Sequence, residues 1–190
     1  MPNLVVLDPA AESTIVRQQL ATRLSALQGK HVWFLDNQGQ SWGKGTPVMN
    51  PIFRAWQARL EKEFDIKWSY ACTEQFTAPF RHGKDKMDEV ARDADVVING
   101  LACCGSGTSA VIHDAVQLEK RGVPTVSLVT DSVVGHVRAA TMKAGMLDLA
   151  VLSVSHNIHM FAPVATPAEC IAAADVLYPA LIDALVGRAR

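Results

Sequence analysis

Five short runs that are almost wholly apolar and rich in β-branched residues recur along this chain, and each is followed by a stretch with helical character. This alternation is the strongest constraint on what the chain can fold into. A strand that lacks polar alternation must be covered on both faces. Strand–helix–strand repeats supply that cover by laying helices on both sides of a parallel sheet. The expected strands are 31–36 (HVWFLD), 66–73 (IKWSYACT), about 97–102, 125–130 (TVSLVT) and 149–156 (LAVLSVSH). Asn50-Pro51 opens a helix with a capping side chain and a proline in its first turn. Short helices are expected over about 85–94 and 134–144, the second stopped by Gly145, and another from about Thr108 to Arg121, closed by Gly122 and Pro124. Thr166-Pro167-Ala168-Glu169 is a capping box that starts the last helix, over about 167–188. The spacing of Ile15, Leu20, Leu24 and Leu27 predicts one more helix at about 13–28, ahead of the first strand. The expected fold class is therefore α/β: a doubly wound, mainly parallel five-stranded sheet, flavodoxin-like or Rossmann-like, in a single domain over 1–190 with strand order 2-1-3-4-5.

Composition narrows the function. A chain of 190 residues with 49% hydrophobic content can bury a substantial core and is not disordered. A formal net charge of −1 and a pI near 6.6 lack the basic excess of a nucleic-acid binder. No uncharged apolar stretch approaches the roughly 18 residues of a membrane span, and the start MPNLVVLDPAAES has no basic leader region. A cytoplasmic protein with reduced thiols is expected. Its four cysteines are too sparse for a disulfide scaffold.

Parallel sheets bind ligands at the carboxyl ends of their strands. Those ends carry Asp36-Asn37, Cys72-Thr73, Cys103-Cys104, Thr130-Asp131-Ser132 and His156, with Asn157 and His159 just beyond. The turn CCGSGTS is the sharpest signal among them. Gly105 and Gly107 let the backbone turn tightly, and Ser106, Thr108 and Ser109 are placed to cap the following helix. Cys104 would stand at the helix N-terminus, where unpaired N–H groups and the dipole favour a thiolate and can also hold an oxyanion or a carboxylate. Cys103 should point elsewhere, as a packing residue or a secondary thiol. The turn lacks the third glycine of a dinucleotide fingerprint and the Lys-Ser/Thr of a P-loop, so no cofactor is expected. Cys103, Cys104, His156 and His159 are zinc-ligand types without a zinc-site spacing, and no metal is expected.

The stretch ADVVINGLACCGSGTSAVIHDAVQLEKRGVPTVSLVTDS resembles the UGSC family, which takes its name from a selenocysteine- or cysteine-Gly-Ser-Cys motif. The resemblance rests on His113-Asp114-Ala115, on Leu118-Glu119-Lys120-Arg121-Gly122 and on Pro124-Thr125, and extends to LVVLDP and VWFLDNQGQ. It implies a thiol- or selenol-centred activity, with Cys104 in the selenocysteine place followed by Gly105 and Ser106. Gly107 stands where the family has its second cysteine. A thiol–disulfide cycle needs a resolving thiol near the attacking one, so this departure favours non-redox cysteine chemistry. Cys103 is an awkward substitute because adjacent cysteines bridge only through a strained ring, whereas Cys72, at another strand end, is a resolving thiol in principle.

The remaining candidates surround that turn. His113 is positioned either to assist Cys104 or to pack, and Asp114 either to orient it or to lie at the surface. His156 and His159 are candidate proton carriers. The loop from Gln75 to Lys86 has a lid's length, and its Arg81 is suited to gripping a carboxylate. Asn37, Cys103, Gly105, Ser106, Thr108, Ser109, Asp131, His159 and Arg81 form the expected binding set, with Cys104, His156 and His113 as the expected catalytic set. The leading expectation is a cysteine-dependent enzyme doing lyase, hydratase or isomerase chemistry on a small organic acid. The alternatives are a thiol redox or peroxide-reducing enzyme and a non-catalytic subunit with a degenerate motif. A small-molecule substrate is expected, with a homo-oligomer or partner subunit to complete the site.

Overall fold

The computed structural model describes residues 15–37, 48–72, 82–158 and 165–187. Within them the chain forms strands β1 (His31–Asp36), β2 (Lys67–Cys72), β3 (Val96–Ala102), β4 (Thr125–Thr130) and β5 (Ala150–Val154). The helices are α1 (Pro51–Phe64), α2 (Lys84–Asp93), α3 (Gly105–Glu119), α4 (Val134–Ala144) and α5 (Pro167–Leu185). Every strand pairing is parallel, and the order is β2-β1-β3-β4-β5. The expected class and strand order are both observed.

Strand periodicity sorts the core into two layers. Val32 and Phe34 face one side with Ile98, Val126 and Leu128, where they meet Phe53, Trp56 and Leu60 of α1 and Tyr178 and Leu181 of α5. Trp33, Leu35 and Val97 face the other, against Met87 and Val90 of α2 and Leu118 of α3. Ala102 and Val129 extend that second face toward Val111 and Ala115 of α3 and Val137 of α4. Local signals set the starts of α1 and α5 as expected. The Asn50 side chain accepts from the Phe53 N–H, and Thr166 and Glu169 close a reciprocal capping box.

One element is corrected. The described part of 13–28 contains no helix. The chain there crosses from one layer to the other. Leu20 packs into the α3–α4 cluster, whereas Leu24 and Leu27 join the cluster under α1 and α5. A helix would place residues 20 and 24 on one face and could not serve both. The backbone donors go to distant partners instead: Gln18 N–H to the Gly145 carbonyl at 2.8 Å, and Ala21 N–H to Glu119 Oε2 at 2.8 Å.

The last residues of β3 set up the turn that follows. Pairing with β4 shifts register between Gly100 and Ala102. Gly100 has φ +144°, and a Cβ there would run into the Leu128 carbonyl oxygen. Only glycine fits this close approach of two central strands.

Candidate active site at the Cys104 turn

β3 leaves the sheet through Cys103, which is buried, and reaches Cys104, the extended N-cap residue of α3 (φ −146°, ψ 170°). No side chain caps this helix. The hydroxyls expected to do so bond backwards: Thr108 Oγ1 donates to the Cys104 carbonyl at 2.8 Å, and Ser109 Oγ to the Gly105 carbonyl at 3.0 Å. A helical Ser or Thr reaches the carbonyl four residues back more readily than the N-terminal amides. The first-turn amides therefore stay available to the thiol.

The Cys104 side chain is solvent-exposed, and its Sγ lies 3.4 Å from Ser106 Oγ. Partial burial pushes the thiol up. Hydrogen bonds from the Ser106 hydroxyl, the Gly107 N–H, the Cys103 thiol and the Ser106 N–H outweigh that effect and hold it below the ordinary thiol range. A thiolate held by amide and hydroxyl donors, and open to solvent, is a competent nucleophile or proton acceptor. A Cβ at Gly107 would sit 3.5 Å from Cys104 Sγ, an ordinary contact, so a side chain fits there beside the sulfur.

His136 is a histidine that sequence reasoning missed. A Cβ on Gly105 would meet its ring carbon and Nε2 at 3.9 Å, so the exposed imidazole flanks the turn next to Cys104. The available signal was topological. With β4 beside β3, the first turns of α3 and α4 are neighbours, and the two helices pack together.

The other strand ends assemble a polar rim. The His156 N–H donates to Asp131 Oδ1 at 2.9 Å, and His156 Nδ1 pairs with Ser132 Oγ at 2.7 Å, which in turn meets Thr130 Oγ1 at 2.9 Å. Asp131 and His156 are thus brought together as a unit bridging β4 and β5. β5 lies two strands from β3, a lateral separation of about 10 Å at ~4.8 Å per strand. Asn37 belongs to the rim on the other side, its N–H donating to the Gly100 carbonyl at 2.7 Å. Beside it, Asp36 is buried and anchors the start of α1 by accepting from the Asn50 N–H at 2.9 Å.

Two expectations change. His113 is not brought to Cys104. The helix begins at Gly105 rather than near Thr108, so His113 lies nine residues beyond the N-cap. That is about 13 Å along the axis and on the opposite face, at ~1.5 Å and ~100° per residue. It lines a separate cavity with His82, and its Nδ1 pairs with Asp114 at 3.3 Å. Cys72 is likewise remote. It aligns with Asp36 on β1, which aligns in turn with Gly100 on β3, so two strand spacings separate it from β3. That is about 10 Å against the ~7 Å Cα limit of a disulfide. Arg81 and His159, with Thr73, lie outside the described residues. Among the described residues no group of three or more His, Cys, Asp or Glu is placed to hold a metal ion, and no helix is long and apolar enough to cross a membrane.

One family model matches the chain, that of the UGSC family, over residues 5–187. No curated protein matches it.

Proposed function

The chain belongs to the UGSC family, and from that premise we propose that it is a cysteine-dependent enzyme acting on a small organic acid by lyase, hydratase or isomerase chemistry at Cys104. The observation that carries this reading is the exposed Cys104 thiol at the N-cap of α3, its acidity raised by the donors of Ser106 and Gly107. In the proposed reaction the thiolate attacks an electrophilic carbon or takes a proton from the substrate. The first-turn amides of α3 receive the negative charge that develops, or hold the substrate carboxylate. His136, beside Gly105, is the nearer proton carrier, and the His156–Ser132–Asp131 unit extends the rim on the same side. The reading uses no cofactor and places the protein in the cytoplasm, without nucleic-acid or membrane partners.

A redox cycle is the weaker alternative. It requires a resolving thiol, and the position suited to one is occupied by Gly107, while Cys72 lies two strands away. A homo-oligomer is part of the proposal, supported by the exposed apolar side chains Ile171 and Val176 on α5.

The test is turnover of a panel of small hydroxy and unsaturated acids, followed by NMR, with the wild-type chain and Cys104→Ser. The expected result is conversion of at least one acid by the wild type and a loss of about a hundredfold or more in the variant. Full activity in Cys104→Ser would remove the thiol from the chemistry and leave the chain as a binding subunit or an enzyme of another kind.

A further inference from the structure

Between the start of α2 and the middle of α3 lies a cavity of about 540 Å³ lined by His82, Lys84, Met87, His113, Gln117 and Arg121. Its floor holds a buried hydrogen-bonded pair. His82 Nδ1 stands 2.9 Å from Asp114 Oδ2, with side-chain exposures of 4% and 1%, and the same oxygen accepts from the His82 N–H at 3.1 Å. The carboxylate is an acceptor, so Nδ1 carries a proton toward it, and Nε2 is the ring nitrogen left for another partner. That Nε2 is buried and has no hydrogen-bond partner among the described residues. A buried ring nitrogen without a partner is costly to leave so. At the mouth, Lys84 and Arg121 share the single carboxylate of Asp88. One positive charge is left over there, and exposed pairs of this kind are weak enough for a ligand to displace.

We propose that this cavity is a binding site for a small hydroxy carboxylate. The ligand hydroxyl, a donor and an acceptor alike, bonds His82 Nε2, its carboxylate lies toward Lys84 and Arg121, and its carbon chain rests on Met87. The volume falls within the range of small-molecule sites. The site lies apart from Cys104 and does not rest on the thiol reading.

The experiment titrates the full-length chain with malate and with succinate, which differ by one hydroxyl. It is run by calorimetry and by NMR of the histidine rings, in the wild type and in Cys104→Ser. Malate is expected to bind about tenfold more tightly than succinate in both proteins, from one added hydrogen bond to a buried ring nitrogen, and to shift the His82 ring resonances. His82→Phe should erase the preference. Lys84→Gln, at an exposed position, should weaken both acids severalfold and keep their ratio, which covers the case in which His82→Phe does not fold. Equal binding of the two acids, no binding of either at tens of millimolar, or a preference that survives His82→Phe would overturn the proposal.

Discussion

At position 107 the presence or absence of one side chain separates two kinds of thiol chemistry. A Cβ there would rest 3.5 Å from Cys104 Sγ without a clash. Gly107→Cys is therefore expected to fold and, under mild oxidation, to form a disulfide between Cys104 and the introduced thiol, read as loss of the Cys104 thiol in peptide mass spectrometry. A free Cys104 thiol in the oxidised variant would show that the turn cannot bring the two sulfurs together. Ser106 acts on the same sulfur through its hydroxyl. Ser106→Ala should raise the pH midpoint of Cys104 alkylation, because one donor to the thiolate is lost while the amide donors remain. Cys104, Asp131 and His156 were legible in the sequence because each is a polar residue at the end of an apolar strand. His136 was not, because it reaches the site only through the packing of α3 against α4. Nor was the fate of Thr108 and Ser109, whose hydroxyls had two nearby sets of backbone partners and took the carbonyls.

Among the elements, the strands and most helices follow from local pattern, and the segment before β1 does not. Its apolar spacing is helical, but Glu119 reorganises it. That buried carboxylate accepts from the Ala21 N–H, from Arg23 Nη1 at 2.7 Å, and from the Thr125 N–H at 2.7 Å. The end of α3, the start of β4 and the crossing segment are tied at one point. Glu119→Ala takes from Arg23 the carboxylate it pairs with and leaves these donors unmet, and should cost about 3 kcal/mol in a urea unfolding series. A change below about 0.5 kcal/mol, the size typical of surface substitutions, would mean the segment is held by Leu20, Leu24 and Leu27 alone. Gly100→Ala tests the close strand approach in β3. A methyl driven into the Leu128 carbonyl forces β3 and β4 apart and should destabilise the chain by about 2–3 kcal/mol by the same measurement.

At the scale of the whole molecule, order β2-β1-β3-β4-β5 gathers the polar strand ends along one rim, with helices on both faces. The order was legible because the alternation of elements admits few doubly wound topologies. The separation of the His82–Asp114 cavity from the Cys104 turn was not, because it depends on where α3 begins and so on which face His113 takes. The exposed Val176 of α5 is 78% accessible, and light scattering should find a dimer that Val176→Lys shifts toward monomer. A wild-type monomer would place the whole site within one chain. The central claim concerns the state of one sulfur in the intact protein. The direct measurement is the rate of Cys104 alkylation against pH, followed on the full-length chain by peptide mass spectrometry with Cys104→Ser as the blank. A lowered thiol pKa keeps the thiolate populated as pH falls through the ordinary range, so the rate should stay high below the free-cysteine midpoint of about 8.5 and decline only at lower pH. A midpoint at or above about 8.5 would contradict the account, leaving Cys104 an ordinary exposed thiol.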